Sequence, residues 1–158
     1  MSSDTVVTIR RAQREDCQRM YDLIMELAVY EKSPESVIVS KEEMEELGFG
    51  ERPLWSAFVV EVREGAAAPH VVGMALYYYR YSTWRGRMLY LEDFVVTETR
   101  RGVGAGKMLF DRVLQQAKED GCHGMVWQAL EWNEPAINFY KKYSAKIDSG
   151  WVNCMLEF

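Results

Sequence analysis

The sequence is poor in the residues that build metal centres and disulfide frameworks. Its 158 residues include two histidines, His70 and His123, and three cysteines, Cys17, Cys122 and Cys154. The cysteines are scattered, odd in number and outside any Cys-x-x-Cys pair, which disfavours a disulfide framework or a zinc site and fits a reducing cytosol. Two isolated histidines argue against a histidine-rich metal centre. We therefore expect no bound metal.

The sequence also lacks long apolar runs, internal repeats and low-complexity tracts. No run approaches the ~20 residues that a membrane-spanning helix needs. The first eight residues show no basic stretch followed by an apolar segment, so we expect no secretion signal and a cytoplasmic protein without a membrane partner. With 48% hydrophobic residues the chain can build a full core, and its length suits one domain over 1–158.

Acidic residues outnumber basic ones, and the excess is concentrated in one segment. The formal net charge is -5, and residues 26–52 hold eight glutamates against three basic residues. An acidic segment can raise the local concentration of a cationic substrate, although a solvated helix face would have the same composition. The acidic balance argues against nucleic acid as the main partner.

Apolar spacing and turn residues predict a mixed α/β (α+β) domain. Strands are expected at 6–9, 55–62, 71–81, 88–96, 125–130 and 151–158, with the second and third forming an antiparallel hairpin. Helices come early, a meander of strands follows, and two strand–helix units complete the order.

Capping residues place the ends of the helices. Asp16 is expected to cap the first helix, and Ser40 begins a second, with a capping box, that stops at Gly48. A third helix follows a glycine-rich turn and ends at Gly121. Asn133 caps a fourth helix that ends near residue 143.

The most informative stretch runs from Leu91 to Lys107. A strand leads through a glycine-rich turn into an amphipathic helix, and Arg101 and Lys107 add positive charge. Small residues let the backbone approach an anion, and N–H groups at the start of a helix point towards it. The pattern predicts a phosphate-binding turn, with a plain glycine-rich turn as the alternative.

Two common phosphate motifs do not fit this turn. A Walker A loop requires a hydroxyl residue after its lysine, but Met108 follows Lys107. The dinucleotide pattern Gly-x-Gly-x-x-Gly would need glycine at position 107. The pattern that fits is Arg-x-x-Gly-x-Gly, formed by Arg101, Gly104 and Gly106, which resembles the pyrophosphate motif of the GNAT acetyltransferases.

Segments along nearly the whole chain resemble the GNAT enzymes that acetylate diamines (spermidine and spermine) and thialysine. The matching stretches are residues 26–31, 48–50, 81–87, 90–93, the glycine turn and 131–140. The resemblance implies a GNAT fold with a mixed, mostly antiparallel central sheet flanked by helices. It also implies an acetyl-CoA-dependent N-acetyltransferase that takes acetyl-CoA as cosubstrate and a small-molecule amine as acceptor, and that forms a homodimer.

The resemblance further implies roles for particular residues. Tyr140 would be the general acid, and Glu92 would serve the incoming amine through water. Acetyl-CoA would be bound by Phe94, Val95, Val96, Arg101, Gly102, Val103, Gly104, Ala105, Gly106, Lys107, Asn133 and Ala136. The amine would be bound by Tyr30, Glu31, Trp84, Glu92, Asp93, Trp127 and Gln128.

The chain departs from the family pattern at three places. Ser82 and Thr83 stand where diamine enzymes often carry Asp-Pro, which removes a carboxylate and favours the thialysine branch. Ser144 stands where a glycine is usual after the last helix. The chain stops at Phe158, without the longer tail of some relatives, so a dimer contact that used the tail would differ here.

The acidic pair Glu92-Asp93 poses a geometric condition. Successive strand residues face opposite sides, so both carboxylates can reach one cleft only if a β-bulge intervenes. Burial or its acidic neighbour could raise the pKa of Glu92 from its reference of ~4.3, which would suit a base. An ion-paired strand is the alternative interpretation.

Several alternatives stay open at this level. The tyrosines at 77–79 and Tyr81 could form a cage for an ammonium, although alternation makes about half of them core, and we expect most to be structural. The same fold could acetylate protein lysines or N-termini, or bind acyl-CoA without catalysis. The sequence lacks the aromatic motif of RNA-binding sheets, which argues against RNA binding.

Overall fold

The structure, a computed structural model, describes residues 4–97 and 104–158. The chain divides into two compact units, residues 1–127 and 128–158. The described part of the first unit has one five-stranded sheet, with strands β1 (Thr5–Arg11), β2 (Ser56–Glu64), β3 (His70–Ser82), β4 (Gly86–Val96) and β5 (Met125–Trp127). The α-helices are α1 (Cys17–Tyr30), α2 (Lys41–Phe49), α3 (Ala105–Glu119) and, in the second unit, α4 (Glu134–Lys141).

The sheet is mixed but mostly antiparallel, as predicted. Strands β1 to β4 pair antiparallel in sequence order, and β5 joins β4 in parallel. Short turns suffice for the antiparallel pairs, whereas α3 forms the crossover that the parallel pair requires.

Each face of the sheet has its own apolar core. On one face, Met20 and Leu23 of α1 and Met44 of α2 pack against Met74 and Leu76 of the sheet. This surface is called the α1 face below.

The opposite surface, called the α3 face below, buries aromatic rings beside α3. Phe58 stacks on Tyr77 with ring centroids 5.9 Å apart. Phe110 of α3 makes edge contacts with Phe94 at 5.6 Å and Trp127 at 5.4 Å. Each buried large side chain contributes about 1.5–3 kcal/mol, so the two cores fix β4 between the helices on either side.

A β-bulge interrupts β4 at Glu92. Leu76 of β3 pairs with Asp93 and the next residue, Tyr77, pairs with Leu91, so Glu92 is the extra residue. Because directly opposed residues share a face, Asp93 lies with Leu76 on the α1 face. The β-bulge that Glu92 and Asp93 need in order to reach one cleft is therefore present.

Most of the predicted helix ends are confirmed. Ser40 Oγ accepts a hydrogen bond from Glu43 N at 3.0 Å, and Asn133 Oδ1 accepts one from Ala136 N at 3.4 Å. Gly121 follows α3 with φ +71°, a conformation in which glycine carries no steric penalty. The second helix runs one residue beyond the predicted stop, to Phe49.

Asp16 occupies the predicted N-cap position of α1, but its side chain does not cap the helix. The Asp16 side chain accepts hydrogen bonds from the Arg10 guanidinium at 2.7 and 2.9 Å and from Gln13 N at 2.7 Å. A 3-10 turn, Arg14–Asp16, precedes α1 and supplies its entry instead. A charged partner on β1 and a nearer backbone donor therefore occupy the carboxylate that would otherwise cap α1.

The predicted strands near the C-terminus are wrong or too long. β5 ends at Trp127 rather than at residue 130, and residues 145–158, all of them described, contain no helix or strand. Trp151 and Val152 are 83% and 85% exposed. An alternating pattern does not form a strand unless a neighbouring strand pairs with it, and the second unit supplies none among its described residues.

The departure at Ser144 has a conformational consequence that can be measured. Ser144 has φ +59°, a left-handed conformation that strains any residue with a Cβ atom. We expect Ser144→Gly to raise the free energy of unfolding by about 0.5–1 kcal/mol in urea titration. Ser144→Ala keeps the Cβ atom and should bring no gain. Equal unfolding free energies for the glycine variant and the native chain would contradict this account.

Candidate active site

Three carboxylates gather on the α1 face where α1 ends beside the bulge of β4. Glu31 is the C-terminal cap residue of α1, and Glu92 and Asp93 form the bulge. Thr97 Oγ1 donates to the Glu26 carboxylate at 3.0 and 3.1 Å, which ties α1 to the end of β4. Glu31, Glu92 and Asp93 are called the acid cluster below.

Burial and the two neighbouring charges disfavour the ionised form of Asp93. Burial raises the pKa of Asp93 to about 6, and the charges of Glu92 and Glu31 add to the effect. Burial also raises the pKa of Glu31. In the part of the chain that the structure describes, no donor forms a hydrogen bond to the Asp93 carboxylate. A cation placed here would remove the repulsion, and Asp93 titrates near neutrality, where it can hold or accept a proton.

Tyr78 contacts the acid cluster directly. Its hydroxyl donates to Glu92 Oε2 at 2.9 Å, and its ring stacks on Tyr90 with centroids 5.4 Å apart. Burial and this hydrogen bond raise the pKa of Tyr78 to about 12. Tyr78 is therefore a neutral donor that orients Glu92, a role that the sequence did not reveal. The alternation of side chains along a strand predicts that Tyr78 and Tyr90 share a face of the sheet. The bulge that brings the Glu92 carboxylate to the same face has no signal in the sequence.

The remaining aromatic residues divide between core and solvent. Tyr77 is 1% exposed, and Tyr79, which is 43% exposed, contacts the Tyr77 ring and donates its hydroxyl to Asp120, so both have structural contacts as expected. Tyr81 is 77% exposed. Trp84 lies at the tip of the β3–β4 hairpin and is 93% exposed. Ser82 Oγ accepts from the backbone N–H of Trp84 and orders that tip.

Two further predicted amine-binding residues, Tyr30 and Trp127, belong to α1 and β5. Tyr30, the last residue of α1, is 39% exposed and precedes Glu31. Trp127 ends β5, and its ring packs on Phe110, on the α3 face. The structure thus places the acid cluster and the Trp127 ring on opposite faces of the sheet.

The start of α3 has the features of an anion-binding turn. Gly104 precedes the helix in a left-handed conformation, φ +82°, and among the described residues no side chain caps the helix there. The first helical hydrogen bond runs from Met108 N to Gly104 O at 3.1 Å, so the N–H groups of residues 105–107 lie ahead of it. A Cβ atom on Gly104 would meet no described atom within 4 Å, which leaves room for a ligand beside the backbone.

The other predicted residues of the turn differ in their surroundings. Ala105 is buried, and the Lys107 ammonium lies 2.6 Å from Asp111 Oδ2. Gly106 faces the side chains of Val96 and Phe94, which a Cβ atom would meet at 3.8 and 3.9 Å. The predicted residues Arg101, Gly102 and Val103 lie outside the described residues.

Phe94, Val95 and Val96 alternate between the two faces of β4. Val95 packs in the core of the α1 face, while Phe94 contacts Phe110 on the α3 face. The β4–β5 register covers Leu89–Leu91, so all three residues lie beyond it along β4.

In the second unit, α4 carries the remaining predicted residues. Asn133 and Ala136 are joined by the helix cap, and Tyr140 is buried with its ring 5.7 Å from that of Phe139. Gln128 donates from Nε2 to Asn153 Oδ1 at 3.0 Å. The cap fixes the first turn of α4 and therefore the side of the helix on which Tyr140 lies.

The described residues include no group of three or more His, Cys, Asp or Glu side chains arranged to hold a metal ion. Among the helices of residues 4–97 and 104–158, none has the length and apolar character to cross a bilayer.

Comparison with known proteins identifies the family. The sequence model of the Acetyltransferase (GNAT) family matches residues 13–144. Thialysine N-epsilon-acetyltransferase of Bos taurus is 40% identical over 143 residues, which are 89% of this chain and 84% of that protein. Spermidine/spermine N(1)-acetyltransferase-like protein 1 of Homo sapiens is 34% identical over 148 residues, which are 90% of this chain and 21% of that protein.

Structural comparison supports the fold. An aminoglycoside acetyltransferase from an uncultured soil metagenomic sample superposes with a TM-score of 0.74 at 19% identity, covering 96% of each chain. The predicted resemblance and the predicted fold are both confirmed. The chain belongs to the GNAT family of N-acetyltransferases, enzymes that use acetyl-CoA as cosubstrate.

Proposed function

We propose that this protein transfers the acetyl group of acetyl-CoA to a primary amine of a small cationic molecule. The observation that carries the proposal is the acid cluster, three carboxylates gathered at the bulge of β4. Such a site attracts an ammonium and disfavours an anionic acceptor. The names of the relatives point to polyamines and thialysine-like amino acids as the acceptor classes.

The start of α3 would hold the pyrophosphate of acetyl-CoA. The uncapped N–H groups of residues 105–107 and the open space at Gly104 fit a phosphate group. Lys107 would add positive charge, together with Arg101, Gly102 and Val103 of the predicted turn. Acetyl-CoA supplies the reactive thioester when it is bound.

The pantetheine arm of the cosubstrate would lie along β4. Phe94 and Val96 would offer backbone hydrogen bonds to this arm, with Val95 between them fixed in the core. Asn133 and Ala136 remain predictions as cosubstrate-binding residues. The fixed backbone of β4 would then hold the thioester in one position relative to the acid cluster.

Glu92 would serve the incoming amine through water while Asp93 and Glu31 bind it. A primary ammonium has a pKa of ~10.4, so deprotonation at pH 7 costs about 4.6 kcal/mol. Tyr78 holds one oxygen of Glu92, which leaves the other to accept a proton by way of water. Tyr30, Trp84, Trp127 and Gln128 remain predictions as amine-binding residues.

We place Tyr140 at the other end of the reaction. The amine nitrogen attacks the thioester carbon, the new C–N bond forms, and the C–S bond breaks with its electron pair on sulfur. The amine proton passes towards Glu92, and Tyr140 donates a proton to the thiolate. A phenol of pKa ~10 and a thiol of pKa ~8.5 are matched closely enough for this transfer. The steps constitute direct transfer in a ternary complex, without an acetylated side chain.

A single domain over residues 1–158, the homodimer and the cytoplasmic location remain predictions that accompany this proposal.

The proposal is tested by thiol release from acetyl-CoA with a panel of amines. Purified protein is assayed with spermidine, spermine, putrescine, thialysine, lysine and a lysine peptide. We expect turnover with at least one of the small amines, because the acid cluster suits a free ammonium. Turnover with the peptide alone would instead favour a protein acetyltransferase. Acetyl-CoA binding without any turnover would contradict the proposed function.

Removal of the Tyr140 hydroxyl tests its role as the acid. We expect Tyr140→Phe to lower kcat by about 100-fold, because the thiolate then leaves without a proton donor. Acetyl-CoA affinity, measured by titration calorimetry, should stay unchanged. Tyr143→Phe is the matched control, since Tyr143 also contacts Phe139. An unchanged kcat in Tyr140→Phe would remove Tyr140 from the mechanism.

The pKa of Asp93 gives the amine site a pH dependence. Asp93 is protonated below about pH 6 and ionised above it, so the KM for the amine should fall as pH rises through about 6. Glu31→Gln removes a neighbouring negative charge and should move this midpoint to lower pH. Carboxyl NMR of Asp93 measures the same pKa directly. Glu15→Gln is the control, since the exposed Glu15 is not among the charges that act on Asp93.

A midpoint at the ordinary aspartate value, or one that Glu31→Gln leaves in place, would show that Asp93 is not held in the acid cluster as described.

A further inference from the structure

A positive charge stands on the same face as the acid cluster. Arg80 of β3 is exposed, and its guanidinium carbon lies 5.5 Å from the centroid of the Tyr90 ring. Among residues 4–97 and 104–158, no carboxylate forms an ion pair with Arg80. Its charge is therefore available to an anionic ligand.

The strand register orders the charges along this face. Asp93 pairs with Leu76, Tyr78 pairs with Tyr90, and Arg80 pairs with Met88. The face thus presents carboxylates, then two stacked tyrosine rings, then a guanidinium. Arg80 and Glu92 act in opposite directions on the pKa of both Tyr78 and Tyr90, which indicates that both charges reach the aromatic pair.

The strand fixes the spacing of the backbone positions at the two ends. The backbone of Arg80 lies about 13 Å from that of Leu76, four residues away at ~3.3 Å per residue, and the Arg80 guanidinium lies over the ring of Tyr90, which pairs with Tyr78 between these two positions. An extended lysine-length molecule spans about 7 Å from its side-chain nitrogen to its carboxylate carbon, at ~1.2 Å per bond. A hydrogen bond of ~3 Å at each end extends the reach to about 13 Å, so such a molecule is long enough to contact the acid cluster and the guanidinium at the same time.

We propose that Arg80 determines acceptor specificity by binding the carboxylate of an amino acid whose side-chain amine lies at the acid cluster. This inference rests on the proposed function and narrows its acceptor class. The stacked rings of Tyr78 and Tyr90 line the aliphatic chain between the two charged ends, and their faces suit the α-ammonium.

The same geometry discriminates against diamines. A diamine of equal length lacks the carboxylate, so its second ammonium, the counterpart of the α-ammonium of the amino acid, meets the Arg80 guanidinium without a neutralising anion, and like charges repel. An amino-acid amide also keeps the α-ammonium, but it still offers Arg80 a neutral oxygen acceptor and loses only the charge assistance of the hydrogen bonds. The three acceptor types therefore rank as amino acid, then amide, then diamine.

The test compares lysine, lysinamide and cadaverine, which differ at the carboxylate position. For the native chain we expect kcat/KM to favour lysine over cadaverine by about tenfold. Arg80→Gln should raise the KM for lysine by about tenfold and leave kcat unchanged, whereas the KM for cadaverine should fall because the repulsion is removed. Arg80→Lys retains a positive charge but lacks the planar guanidinium. Its KM for lysine should therefore lie between those of the native chain and of Arg80→Gln.

Arg87→Gln is the matched control. Arg87 also lies over a tyrosine ring, with its guanidinium carbon 5.4 Å from the Tyr79 centroid, but its register with Tyr81 places it on the α3 face. Arg87→Gln should leave the ratio of kcat/KM for lysine to kcat/KM for cadaverine unchanged. Calorimetric titration with acetyl-CoA checks that every variant is folded.

The outcomes separate this inference from the proposed function. Native turnover of cadaverine or spermidine at least as efficient as that of lysine would overturn the role of Arg80 and leave amine acetylation intact. An equal loss in Arg80→Gln and Arg87→Gln would overturn it as well. Absence of turnover with every amine would contradict the proposed function, and the inference about Arg80 would fail with it.

Discussion

The β-bulge at Glu92 is the constraint on which the candidate active site depends. Without the extra residue, alternation would send the Glu92 and Asp93 side chains to opposite faces of β4. With it, Asp93 pairs with Leu76 on the α1 face, and the Glu92 carboxylate on the same face accepts a hydrogen bond from Tyr78. The residues before and after the bulge still supply the core of the α3 face through Leu91 and Phe94. One additional residue therefore creates a local excess of negative charge while the sheet around it stays regularly packed.

The excess of negative charge at the bulge opposes folding, so interactions in the surrounding structure must offset it. Burial and two neighbouring charges disfavour the ionised form of Asp93, which would be destabilising if nothing held the elements together. The apolar contacts of α1 with the sheet and the hydrogen bonds from Thr97 to Glu26 hold α1 beside β4 despite the repulsion. A site assembled in this way binds a cation with favourable electrostatics, because the cation removes a repulsion that the core already sustains.

Local patterns in the sequence predict the elements better than they predict the contacts between elements. The caps at Ser40 and Asn133 depend on residues three positions apart, and both are confirmed. Asp16 occupies the N-cap position of α1 without a capping hydrogen bond, because its carboxylate binds Arg10 of β1 instead. The strand predicted at 151–158 fails because pairing requires a neighbour that periodicity does not reveal. The sequence also does not reveal the hydrogen bond from Tyr78 to Glu92, because this contact depends on the bulge.

The charges of the described site are arranged so that two oppositely charged molecules can be bound on separate elements. The uncapped start of α3 offers N–H groups to an anion, and the acid cluster on β4 and α1 offers carboxylates to a cation. Because β4 runs from the bulge towards the turn that precedes α3, a single strand relates the two regions. Under the proposed function, acetyl-CoA and the amine would bind without competing for the same groups. Direct transfer requires both molecules at once, and this separation of charge makes simultaneous binding electrostatically favourable. Under the proposed role of Arg80, the far end of the acceptor also meets a group of opposite charge, since a guanidinium there would bind a carboxylate.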